Sequence, residues 1–234
     1  MKEKSIFANP FRMLSPKLDQ AAVLLDELHS KKVTDGVGLE EGLLITASKL
    51  IEMSRLLSKA AISGSASLMD QCAALAEDVH QQEQVLTKAL VSSGAKGELL
   101  KSVIRFPFRL ERVGDALENI LTCCRVKAER AIPFSDKAHG EIEQLFAALS
   151  DMMNNLRDAF RAPNKVLLQA VISQGNKLNE MVEDFKLAHW ERLEGGFCNV
   201  ESSSVYRDML DSFKMANEYI TKMAETLLSL AQQE

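Results

Sequence analysis

Breakers are scarce in this chain of 234 residues, which holds 5 prolines and 11 glycines. The prolines stand at 10, 16, 107, 133 and 163, and only long regular segments fit between them. Aromatic residues make up 6%, too few to fill the facing layers of a β-sandwich or barrel of this length. The 4 cysteines, Cys72, Cys123, Cys124 and Cys198, form neither a CxxC pair nor a Cys/His zinc spacing. They read as core packing in a reduced protein. Positive charge is not in excess either, and a formal charge of −5 leaves no footprint for nucleic acid. No apolar run approaches the roughly 18 residues that would span a bilayer, and the opening stretch has no hydrophobic block of signal-peptide length. A cytoplasmic protein without direct membrane insertion is expected. Phosphate-cradling glycine loops, the GxSxG elbow and the HExxH helix are all missing, so no catalytic residue is assigned.

What the chain does hold favours helix. Hydrophobic residues reach 46%, too many for disorder at this modest charge. The filling residues are Leu, Ala, Glu, Lys, Met and Gln. Residues 1–15 read as an irregular arm with Phe7 and Phe11 before the first helix, and 16–30 as a short amphipathic helix opened by Pro16. After a turn at Asp35-Gly36-Val37-Gly38, helices are expected over 39–62, 67–91 and 98–132, the last bent at Phe106-Pro107-Phe108. Ser135 is a fitting N-cap for a helix over 136–161. Two more follow, over 164–194 and from beyond Ser202-Ser203-Ser204 to 231. The expected class is all-α: two tandem antiparallel three-helix bundles and a short N-terminal helix. The divisions are 1–38, 39–132 and 133–234, and short connections make neighbouring helices antiparallel.

The richest stretch runs from Arg109 to Ile120. Phe106, Leu110, Val113, Leu117, Ile120 and Cys124 alternate by three and four, a stripe aimed at the core. At 100° per residue, Glu111, Asp115 and Glu118 gather on the outer side. No cation on the same helix stands three or four residues from Glu111, and like charges at that spacing repel by a few tenths of a kcal/mol. A partner from outside the helix is therefore needed, either a cation bound there or a side chain of a neighbouring helix. Spacing alone does not decide, because 33 acidic residues give about four or five such pairs by chance. Lys101, Arg105, Arg109 and Arg112 form a basic strip beside the acids. Glu77 and His80 have the Glu-x-x-His spacing of di-iron bundles, but no second copy accompanies them.

Leu110-Glu111-Arg112-Val113-Gly114-Asp115, followed by Asn119-Ile120, resembles the signature helix of the PhoU family. The segment from Ala76 to Glu83 resembles the helix before it. His189 to Cys198 and Tyr206 to Leu210 resemble the PhoU-like region of sodium/phosphate cotransporter-related proteins. The likeness spans roughly 39–232. It implies two three-helix bundles and a non-catalytic regulator of phosphate transport or phosphate-responsive signalling that contacts a transporter or sensor protein. It also implies a divalent or iron-type metal ion on the bundle surface, held by Glu111 and Asp115. Glu118, Asn119, Glu83 and His80 complete the candidate ligands. Self-association as a homodimer is expected.

Laid over the first half with an offset of 103 residues, the second half puts Lys214 at Glu111, Glu218 at Asp115 and Lys222 at Asn119. Two ammonium groups beside one carboxylate repel a divalent ion, so at most one metal site is expected, in the first half. The alternatives are a metal-handling bundle and, further off, a di-iron enzyme.

Overall fold

The structure is a computed structural model that describes residues 38–92, 104–162, 164–198 and 200–230. The expected arm, the helix over 16–30, the turn up to Val37, Lys101 and the stretch 98–103 lie outside the described residues. Among those described there are six helices and no strand: α1 (Leu39–Ser63), α2 (Ala66–Ser92), α3 (Phe106–Glu129), α4 (Asp136–Arg161), α5 (Lys165–Glu194) and α6 (Val200–Leu230). Three precede Pro133 and three follow it, as the proline spacing implies.

Two helix starts differ from expectation. Pro107 does not bend a running helix but sits in the first turn of α3, after a turn at residues 104–105. Its missing N–H is no loss there, because the first N–H groups of a helix have no internal acceptor. The serine run before α6 also proves helical. Ser202 and Ser203 lie in its first turn, 6% and 7% exposed, and the Ser203 hydroxyl pairs with His189 Nε2 at 2.8 Å. Ser135 caps α4 as its position suggests, accepting from the Ala138 N–H at 3.2 Å.

The stripe on α3 is buried throughout, from Phe106 to Cys124. Its helix also buries Gly114, Ala116 and Leu121, so α3 is covered on two sides. α6 is likewise covered on two sides, whereas α2 and α5 each bury a narrow face. α3 packs on α6 and α1 on α4, joining both halves in one hydrophobic core. Phe106 meets Phe160 at 5.7 Å across that seam, and Ser54 faces Ser150 at 3.4 Å. Arg109 closes it on the outside, donating to the Lys222 carbonyl and the Thr226 hydroxyl.

Burial repeats along the chain. An offset of 99 residues lays every buried residue of α4 on a buried residue of α1. An offset of 103 does the same for α6 from Met209 to Leu227 over α3, Ser212 excepted. The cysteines belong to this core. Burial pushes the Cys72 and Cys123 thiols up to about 11 and Cys124 up to about 12. Thiols held that far from ionisation are inert.

The second half also buries an ionic network. Glu141 of α4, 4% exposed, accepts two bonds from the Arg192 guanidinium of α5, at 2.9 and 2.7 Å, and a third from the Tyr206 hydroxyl of α6. Removing one partner strands a buried charge, which costs about 3–5 kcal/mol. Arg192→Met is therefore expected to lower Tm by roughly 6–20 °C in a chain of this size. Calorimetry reads the shift, and a loss below about 1 kcal/mol would contradict a buried Glu141 charge that depends on Arg192 for compensation.

Candidate functional site

The candidate metal residues fall on α2 and α3, which pack against each other. Gly114 permits this approach: a Cβ there would stand 3.2 Å from a Val79 methyl. The two helices enclose a hollow of about 90 Å³ lined by Glu77, His80, Glu111, Asp115 and Glu118. Its entrance is solvent-exposed and its floor is Val79 and Gly114.

Glu111 finds its partner here, on the neighbouring helix. His80 Nδ1 stands 2.7 Å from Glu111 Oε1, and Gln84 Nε2 is 3.1 Å from the other ring nitrogen. The hydrogen bond to Glu111 raises the His80 pKa above the ordinary imidazole range. The stabilisation from this pair is full below that ordinary range and is lost as pH rises through the raised value. Asp115 takes the Arg112 guanidinium at 2.7 Å, three residues back on its own helix. Among the described residues Glu118 has no ion-pair partner of this kind, and its pKa is raised by loss of solvent and then by the nearby Asp115 carboxylate. Negative charge thus outweighs positive in the hollow.

The remaining candidates stand apart from it. Glu83 accepts the Thr87 hydroxyl at 2.6 Å, and Asn119 is exposed and does not line the hollow. Carboxylate oxygens and an imidazole nitrogen suit a divalent ion in kind. Among the described residues, however, no three His, Cys, Asp or Glu side chains come together closely enough to hold one as they stand. The basic strip is also occupied, with Arg109 bound across the seam and Arg112 on Asp115.

In the second half the equivalent pair has changed sign. The offset of 103 residues carries His80 to Glu183 and Glu111 to Lys214, and these are joined at 2.7 Å. Both pairs span 31 residues of sequence. Lys222 takes Glu218, so the carboxylate equivalent to Asp115 is neutralised within its own helix. The ionic link between second and third helix is kept while its polarity is reversed. Neither His80 nor Glu183 was singled out as a partner by sequence reasoning, although the shared offset contained the signal.

No helix among the described residues is long and apolar enough to cross a membrane. No family model matches the sequence, and neither does any curated protein. Solved structures do match. PhoU from Pseudomonas aeruginosa superposes with a TM-score of 0.75 at 16% identity, over 83% of this chain and 95% of that one. The phosphate transport system regulatory protein PhoU from Streptococcus pneumoniae also gives 0.75, at 14% identity over 92% and 98%. The six helices, three in each half around a shared core, are a PhoU-like fold.

Proposed function

We propose that this protein is a non-catalytic regulator or adaptor of phosphate transport or phosphate-responsive signalling. It works in the cytoplasm, as a homodimer, by contact with a phosphate transporter or sensor protein. The observation that carries this reading is the likeness to two PhoU structures over nearly their whole length, one of them a phosphate transport system regulatory protein. The signature stretch on α3 supports it, since its outward acids stay at the surface in the first half. Cross-linking the full chain in its host, followed by affinity purification and mass spectrometry, is expected to enrich a phosphate transporter subunit or a phosphate sensor. Enrichment of neither contradicts the reading.

A metal ion belongs to this proposal as a ligand of the first half alone. The excess of carboxylates around Glu118 favours a divalent cation there, and the Lys214–Glu183 and Lys222–Glu218 pairs disfavour one in the second half. Uptake requires Glu111 to leave His80 and Asp115 to leave Arg112. The double substitution Glu111→Gln/Asp115→Asn is expected to abolish metal retention and to lower the His80 pKa, because its hydrogen-bonded carboxylate partner is gone. Elemental analysis and an NMR titration of His80 read the two effects separately. Unchanged metal content overturns the ligand assignment, and an unchanged His80 titration overturns the ion pair.

A further inference from the structure

A second opening lies at the end of the second half away from Phe160, where α4 and α6 begin and α5 ends. It measures about 420 Å³. Its walls are more apolar than polar, with the rings of Phe134, Tyr206 and Phe197 facing it from three separate segments. Phe134 is fixed at 5.8 Å from Tyr206 in an edge-on arrangement, and Phe197, 82% exposed, stands at the rim. Such a concave, aromatic-walled space is of the size that small ligands occupy.

One polar side chain in the wall keeps a ring nitrogen that the fold does not use. His189 is 2% exposed and lies against Tyr206, with ring centres 4.8 Å apart. Its Nε2 pairs with the Ser203 hydroxyl, while Nδ1 is buried without a hydrogen-bond partner. Burial and the neighbouring Arg192 charge lower its pKa, which favours the neutral ring, and a neutral ring presents one N–H. In the tautomer in which Ser203 donates to Nε2, that N–H sits at Nδ1. The starts of α4 and α6 meet the same space through Ser135 and Ser202, bringing the positive ends of two long helices to it.

The first half shows that the repeat does not require these polar groups. The positions equivalent to Glu141, His189 and Arg192 are Gly42, Leu86 and Ala89, and a Cβ on Gly42 would run into the Leu86 side chain. There Gly42 and Leu86 meet in apolar contact. The second half instead holds the hydrogen-bonded Glu141–Arg192–Tyr206 network, of which Tyr206 reaches the open space, and the unpartnered His189 Nδ1 belongs to the wall of that space.

We propose that this cavity binds a small amphiphile, with a flat apolar body and a single carboxylate- or sulfonate-like head. The rings of Phe134, Tyr206 and Phe197 cover the body. His189 and the two helix starts hold the head. The site is independent of the phosphate reading and of the acidic hollow between α2 and α3.

The test uses the full chain and two fluorescent probes of similar shape, anionic 8-anilinonaphthalene-1-sulfonate and uncharged N-phenyl-1-naphthylamine. The wild-type protein is expected to bind one equivalent of the anion, at least about tenfold more tightly than the neutral probe, the size of one charged hydrogen bond. Cys198→Trp, which fills the space from its partly exposed wall, is expected to weaken the anion at least about tenfold with an unchanged melting profile. His189→Phe is expected to equalise the two probes while keeping the neutral one bound. Absence of a saturable site, equal affinity for both probes in the wild type, undiminished binding by Cys198→Trp, or a preference retained by His189→Phe each overturns the proposal.

Discussion

Burial of α3 and α6 against each other is the contact on which the rest of the molecule depends. Each of these helices is the third of its half, and each is covered on two sides. One side meets its own bundle and the other meets the opposite half, with α1 on α4 completing the seam. Hydrophobic stabilisation scales with the apolar area removed from water, and the seam removes from water the apolar side of each third helix that its own bundle leaves uncovered. The seam therefore decides orientation as well as stability. With α1, α3, α4 and α6 turned inward, α2 and α5 present their broad polar faces to solvent.

On that common frame the two halves have diverged in their charges. The buried positions superpose almost one for one, yet the ionic link between second and third helix runs His80 to Glu111 in one half and Lys214 to Glu183 in the other. The geometry of a cross-helix pair depends on helix phase and spacing, which the core sets, and is indifferent to which partner is positive. Reversal thus leaves the fold intact while changing what the surface attracts. An acidic hollow remains on the first half and a neutralised face on the second. At the far end the divergence lies in the interior, where Gly42 and Leu86 of one half correspond to Glu141 and His189 of the other.

Much of this was legible in the residues. The three-and-four alternation from Phe106 to Cys124 identified buried positions that the structure confirms, because periodicity reports which face of a helix is dry. The offset that aligned Leu110 with Phe213 also placed Lys214 opposite Glu111, from sequence alone. Helix phase was not legible. His80 reaches Glu111 because of how α2 rotates against α3, and that rotation follows from Val79 packing on Gly114. Pro107 misled as a bend because an apolar pattern says nothing of where a helix begins. Ser202 and Ser203 misled in the same way, since serine suits both a cap and a first turn. Glu141, Arg192 and Tyr206 lie 51 and 65 residues apart in their pairings, and each would be unremarked on a surface.

The proposed role is action by contact within phosphate transport or its signalling. The most direct measurement is phosphate uptake together with phosphate-regulated gene expression in the host lacking this gene. The account predicts that both change and that supplying the wild-type chain restores them. If neither changes, the phosphate role is contradicted, and the PhoU-like fold stands without it.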